Sequence, residues 1–164
     1  MQATTKITAR DIMRTDVATL RPEDSLDAAI ELLEEMHISG APVVDGSGQL
    51  VGVISTADLA RFAREKGTAR SEPGNERLSG LDDEPTGDEV TFDVDDYSEE
   101  LLGRERVCDW MTAKVISASP STNVRELCRL MMIESVHRVV IAEGRKLLGI
   151  VTTTDIVRCI AERG

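Results

Sequence analysis

Leu147-Leu148-Gly149-Ile150-Val151-Thr152-Thr153-Thr154-Asp155-Ile156-Val157 reads as a short apolar strand running straight into a helix, with hydroxyls and a carboxylate at the junction. The same pattern stands earlier as Leu50-Val51-Gly52-Val53-Ile54-Ser55-Thr56-Ala57-Asp58-Leu59-Ala60. Two copies of one strand-to-helix corner predict two related sites. A helix N-terminus at the end of a strand offers free N–H groups and a partial positive charge, a seat for phosphate. Thr152 and Thr153 add hydroxyl donors there, and Asp155, one turn in, can accept two hydrogen bonds from a cis-diol such as ribose. The spacings Ser55-x-x-Asp58 and Thr152-x-x-Asp155 equally fit a capping box that merely starts a helix. A duplicated fold duplicates its caps as well, so both readings stand.

Outward from these corners the whole chain repeats. Asp11-Ile12-Met13 and Pro22 meet Asp109-Trp110-Met111 and Pro120 at a shift of 98 residues. The first helix carries Leu26, Ala29, Ile30 and Leu33 at i, i+3, i+4 and i+7, and Val124, Leu127, Cys128 and Met131 repeat that stripe. Asp24 or Ser25 can cap the first of these helices, and Asn123 with Glu126 forms a capping box on the second. Strands at Ala41–Val44 and Leu50–Ile54 read as a hairpin, matched by Val139–Ala142 and Leu147–Val151. The second turn is one residue shorter, so beyond it the shift is 97, and Gly52, Asp58 and Arg61 meet Gly149, Asp155 and Arg158. The Gly-x-Gly within Asp45–Gly48 lies between two strands, which makes it a hairpin turn and not a dinucleotide fingerprint.

Each unit reads β-α-β-β-α, with opening strands at Val17–Leu20 and Val115–Ala118 and closing helices from Thr56 and Thr153. A unit of roughly 50 residues is too small to cover both faces of its own sheet. The predicted fold is therefore α/β (α+β): two β-α-β-β-α repeats related by a pseudo-twofold axis and packed sheet to sheet, with two equivalent clefts at the seam. The expected division is a tail at 1–10, a first repeat at 11–64, an acidic linker or insertion at 65–104 and a second repeat at 105–164. Within the linker, Val90–Val94 reads as a candidate edge strand and Ser98–Leu102 as a candidate short helix.

Composition limits the function. With 164 residues, two Phe, one Tyr and one Trp, the core must be aliphatic. The net charge of −11 is concentrated in residues 67–103, where twelve Asp and Glu face only Arg70 and Arg77, while residues 104–164 are net positive. There is no broad basic face for nucleic acid. No apolar run approaches the ~20 residues of a membrane helix, and the N-terminus lacks a signal pattern, so the expected compartment is the cytoplasm. Cys108, Cys128 and Cys159 lack metal or disulfide spacing and read as buried free thiols. Met131 and Met132 read as core filler, Trp110 as an anchor for the short opening helix, and His37 as a helix-end residue. There is no Ser-His-Asp arrangement with local support, no HExxH and no P-loop, so nothing points to an enzyme.

These motifs resemble the cystathionine-β-synthase (CBS) domain family, specifically a tandem pair, or Bateman module. The carrying residues are the Asp-x-Met openings and the hairpin segments Ser39-Gly40-Ala41-Pro42-Val43-Val44 and His137-Arg138-Val139-Val140-Ile141. The closing signatures are Gly52-Val53-Ile54-Ser55-Thr56-Ala57-Asp58 and Gly149-Ile150-Val151-Thr152-Thr153-Thr154-Asp155. The resemblance implies a regulatory module that binds AMP, ADP, ATP or S-adenosylmethionine as a regulatory ligand, with no cofactor required. By that resemblance Asp58 and Asp155 would hold ribose, with Ser55, Thr56, Thr152 and Thr153 on phosphate. His137 and Arg138 would also meet phosphate, and backbone around Thr15–Val17 and Ala113–Val115, with Asp16, Val17, Lys114 and Val115 as the named contacts, would flank the adenine. Ser39-Gly40 replaces His-Arg in the first repeat, which leaves that cleft without an obvious cation and ranks the Asp155 cleft as the tighter one. An apolar helix face on so small a module predicts a homodimer. Two readings follow: a small-molecule sensor acting on a regulated protein the sequence does not name, or a ligand-free dimerisation module whose acidic linker docks a partner.

Overall fold

The computed structural model describes residues 7–67 and 99–163. The expected edge strand at Val90–Val94 and most of the acidic stretch lie outside them.

The first repeat opens with a single helical turn, α1 (Ala9–Ile12), and continues through α2 (Leu26–Glu35), β1 (Gly40–Val44), β2 (Leu50–Ser55) and α3 (Thr56–Gly67). After α4 (Glu99–Arg104), where a short helix was expected, the second repeat runs α5 (Val107–Trp110), β3 (Ser117–Ala118), α6 (Val124–Glu134), β4 (Arg138–Glu143), β5 (Lys146–Thr152) and α7 (Thr153–Arg163). Antiparallel β1 and β2 form one sheet; β3 runs parallel to β4, which pairs antiparallel with β5, in the other. The opening strand expected at Val17–Leu20 shrinks to one bridge, Leu20 to Val43. Its counterpart keeps only the two residues of β3.

Local chemistry places the ends. Ser25, and not Asp24, caps α2 through the Ala28 amide at 3.2 Å, while Asp24 accepts from the Arg21 amide. Asn123 and Glu126 make the reciprocal capping box on α6. In the first hairpin Asp45 Oδ1 accepts from the Ser47 and Gln49 amides at 2.9 and 3.0 Å, and Gly48 takes the positive φ of 78° that the turn requires. Both α2 and α6 end on left-handed residues at matching positions, His37 (φ 51°) and Ser135 (φ 53°).

The repeats exchange their opening segments. Thr112 exchanges N–H···O bonds with Val53 at 2.8 and 3.0 Å, and Arg14 does the same with Ile150 at 2.9 and 3.0 Å. These are the same contact twice: Arg14 is the counterpart of Thr112, and Val53 of Ile150. Gly52 and Gly149 allow the crossing, because a Cβ would stand 3.0 Å from the Thr112 carbonyl oxygen at Gly52 and 2.6 Å from the Arg14 carbonyl oxygen at Gly149. The signature glycine is thus a steric demand of the pseudo-twofold.

The cores follow from the exchange. Leu26, Leu33, Val43, Ile54 and Phe62 of the first repeat close over Leu102, Val107 and Trp110. Leu127, Met131, Val139, Ile141, Val151 and Ile156 of the second close over Ala9. Between the sheets Leu50 meets Val140 and Ala142, with Val53, Val115 and Leu147 packed around them. Trp110 anchors α5 as expected: its ring meets Phe62 edge-on at 5.1 Å and its indole N–H donates to Glu105 at 2.9 Å. Two expectations fail. Met132 is 80% exposed, since only Met131 falls on the buried stripe of α6, and Cys108 is exposed on the outer side of α5. No helix among the described residues is long and apolar enough to cross a membrane.

Candidate functional site

At each corner the strand delivers a hydroxyl residue to the first turn of a helix, and the carboxylate three residues on folds back over it. Asp58 Oδ2 accepts from the Ser55 amide at 2.8 Å and hydroxyl at 2.9 Å. Asp155 Oδ2 accepts from the Thr152 amide at 2.9 Å and hydroxyl at 2.7 Å. The capping interpretation is realised reciprocally at Thr152, whose hydroxyl also accepts from the Asp155 amide at 3.3 Å, and through the carboxylate at Ser55. Capping occupies one carboxylate oxygen and leaves the other aimed at the seam.

The two outward oxygens have different company. Asp58 Oδ1 meets the Thr112 hydroxyl at 3.0 Å and Arg61 at 3.4 Å. Asp155 Oδ1 meets Arg14 Nε at 3.0 Å and Arg158 at 3.6 Å. Burial pushes the Asp155 carboxyl up, but the Thr152 hydroxyl and amide and the Arg14 guanidinium outweigh it, so its pKa lies below the ordinary aspartate value.

A cavity of about 1050 Å³ opens at the Asp58 corner. It gathers Ser39, Gly40, Ser55, Thr56 and Asp58 from the first repeat with Lys114, His137 and Arg138 from the second. Its walls are aliphatic, including Ile30, Pro42, Val53, Ile116 and Ile150. The remaining expected residues stand elsewhere. Thr152, Thr153, Asp155, Asp16 and Val17 do not line this cavity, and Val115 packs into the apolar seam. Thr153 directs its hydroxyl to the His137 carbonyl at 3.2 Å. A second groove of about 480 Å³ is lined by Cys128, Met131, Met132, Val136 and Ile156 together with Ser135, His137 and Thr153, so two expected site residues, His137 and Thr153, stand on a mainly apolar surface.

Arg138 requires a correction. Expected to serve the Asp155 corner, it reaches across the seam, donating through Nη1 to the Gly40 carbonyl at 2.8 Å and through Nη2 to the Ser39 hydroxyl. Those are the two residues that replace His-Arg in the first repeat. Gly40 has no side chain to shield its carbonyl, and the counterpart arginine takes that place. Burial pulls the guanidinium pKa down, yet an arginine stays charged at any physiological pH. Lys114, also lining the cavity, is 79% exposed and only loosely paired with Glu134 at 3.7 Å. The first cleft thus has Lys114 and Arg138 among its lining residues, while the cations at the second corner, Arg14 and Arg158, are paired with Asp155 itself.

Sequence reasoning missed Arg14, Thr112 and Arg61. The signal was present: the shift of 98 sets Arg14 against Thr112 next to the Asp-x-Met openings. Among the described residues no cluster of three or more His, Cys, Asp or Glu is arranged to hold a metal.

Comparison with known proteins places these features in a wider group. The family model for the CBS domain matches residues 9–65 and 107–162. Protein MJ1426 of Methanocaldococcus jannaschii is 30% identical over 155 residues, spanning 92% of this chain and 89% of its own. The chloroplastic CBS domain-containing protein CBSX2 of Arabidopsis thaliana is 32% identical over 150 residues, and the match spans 59% of that longer protein. The crystal structure of CBSX2 in complex with AMP superposes with a TM-score of 0.68 at 25% identity, covering 95% of this chain and 97% of that one. The CBS domain pair of MJ0100, in complex with 5′-methylthioadenosine and S-adenosyl-L-methionine, shares the fold with a TM-score of 0.67 at 21% identity over 97% of this chain and 99% of that one.

Proposed function

The chain belongs to the CBS domain family, and from that premise we propose that it is a regulatory module binding an adenosine-containing ligand in the cavity between its repeats. The observation that carries this reading is the cavity itself. It brings a carboxylate, Asp58, in the first turn of a helix of the first repeat together with the cations Lys114 and Arg138 of the second, among aliphatic walls. Asp58 suits the ribose hydroxyls, the amino end of α3 with Lys114 and Arg138 suits phosphate, and the walls suit a purine face. That CBSX2 has been crystallised with AMP supports the same ligand class. The nucleotide acts as an allosteric ligand and not as a resident cofactor, and the chain performs no chemistry on it.

The expectation of tighter binding at the Asp155 corner rests on Arg138, and Arg138 stands at the other corner. The ranking therefore reverses in favour of Asp58. Calorimetric titration with AMP, ADP, ATP and S-adenosylmethionine tests it. Asp58→Ala is expected to weaken the preferred ligand about tenfold or more, the loss of charge-assisted hydrogen bonds of about 1.5–3 kcal/mol. Arg138→Gln should weaken phosphorylated ligands more than S-adenosylmethionine. If Asp155→Ala abolishes binding and Asp58→Ala spares it, the assignment is wrong.

A second reading, dimerisation, is favoured by one observation. Val157 and Ile160 on α7 and Met132 and Ile133 on α6 are 59–80% exposed. A homodimer that covers them is the means by which a ligand-dependent shift reaches a regulated protein. Sedimentation of the Val157→Glu/Ile160→Glu variant is expected to give a monomer where the wild type gives a dimer. A wild-type chain that sediments as a monomer at micromolar concentration removes this reading.

A further inference from the structure

The two corners are built from the same backbone but differ in the residue that crosses the seam to reach them. At Asp58 that residue is Thr112, whose hydroxyl meets the outward oxygen at 3.0 Å. At Asp155 it is Arg14, whose Nε meets the outward oxygen at 3.0 Å while Arg158 stands 3.6 Å away. The contrast is one of chemistry, not position, because Arg14 and Thr112 make equivalent backbone bridges to Ile150 and Val53. A hydroxyl can rotate and exchange its role, accepting from an incoming diol while the carboxylate accepts from the same ligand. A guanidinium only donates, and it adds a full positive charge opposite the carboxylate that a hydroxyl lacks. The acceptor is 3% exposed while Arg14 is 55% exposed, so the pair is shielded from water on the carboxylate side only.

We infer that Arg14 is a specificity-determining residue that closes the second cleft, occupying through its ion pair the oxygen of Asp155 that a ribose would need. This rests on the adenosine reading above and adds the stoichiometry: one ligand per chain, at Asp58. The Thr152 cap takes the other oxygen at 2.7 and 2.9 Å, so a diol reaching Asp155 must share or displace the oxygen that Arg14 holds. At Asp58 the corresponding oxygen accepts from the Thr112 hydroxyl at 3.0 Å and from Arg61 at 3.4 Å, and the difference lies in the crossing residue: Thr112 can turn to accept from the ligand and Arg14 cannot. The internal pair is a self-supplied competitor at one of two corners built on the same backbone.

Titration calorimetry of the full chain with AMP decides it. Wild type is expected to bind one AMP per chain, and Arg14→Thr, which copies the crossing residue of the first cleft, two. Arg14→Gln, which keeps the length and removes the charge, is expected to gain the second site as well. The double variant Arg14→Thr/Asp58→Ala should retain one site, now at Asp155. Arg14 is 55% exposed, and thermal melting of each variant checks that the fold survives. Two AMP per wild-type chain, or no second site in folded Arg14→Thr and Arg14→Gln, overturns the inference while leaving the adenosine reading intact. Failure of AMP to bind wild type or any variant sinks that reading and this inference with it.

Discussion

Asp155 carries the sharpest energetic statement at the residue scale. Its carboxyl is nearly buried, which by itself disfavours charge, yet Thr152 and Arg14 hold it ionised with a pKa below the usual aspartate value. A group whose pKa is depressed on folding stabilises fully above its unfolded value, near 3.9, and loses that contribution as pH falls through the lower folded value. Asp155→Asn is therefore expected to be less stable than wild type by about 1.5–3 kcal/mol at pH 7, with the gap narrowing below about pH 4. Urea unfolding at both pH values checks this, and a gap that stays constant refutes it. The paired glycines give a second residue-scale test. Adding a Cβ at Gly149 meets the Arg14 backbone oxygen at 2.6 Å, whereas at Gly52 the nearest atom, at 2.7 Å, is the sulfur of the flexible Met111, with the Thr112 oxygen at 3.0 Å. Both Ala variants should lose about 1–3 kcal/mol, with Gly149→Ala the worse. Equal losses in chemical denaturation would mean that the crossing relaxes as easily on either side.

Among the elements, α6 joins a good start to a poor finish. Its capping box is complete and Asn123 is buried, so Asn123→Ala is expected to cost about 1–2 kcal/mol. Its end sits on Ser135 in the left-handed region, where a Cβ is unfavourable and glycine is not. Ser135→Gly is expected to gain about 1 kcal/mol in urea unfolding; a loss would mean that the Ser135 side chain has a contact worth more than the strain. The caps, the stripes of α2 and α6, both hairpins and the corners into α3 and α7 were legible in the sequence because each depends on spacing within a few residues. The opening strands were not. Val17–Leu20 has the pattern of a strand but pairs only through Leu20, because α1 and the residues after it are drawn to the other repeat. Periodicity tells which face of an element is apolar and says nothing of which partner covers it. Arg138 shows the same limit: its place in the chain was evident, but its direction depends on Gly40, nearly a hundred residues away.

The exchange of openings makes the two halves one cooperative body. The first core is incomplete without Val107 and Trp110, and the second without Ala9, Ile12 and Met13 packed on it. Neither half can bury its own apolar face while the other is unfolded, since the backbone bridges Arg14–Ile150 and Val53–Thr112 are lost in the same event. Two autonomous repeats joined by a tether would melt separately, because their sequences and cores differ. Here a single transition is expected. The chain has one tryptophan, and it belongs by sequence to the second repeat and by packing to the first core. Its fluorescence therefore reports the contact between halves, and circular dichroism reports the helices of both. Unfolding curves from the two probes should coincide in midpoint and slope. A saturating ligand at the Asp58 corner should shift them together, by about 2.7 kcal/mol at a hundredfold excess over its Kd. Fluorescence that changes before the helices melt would show the halves parting first, and a ligand could then act on one repeat without the other feeling it.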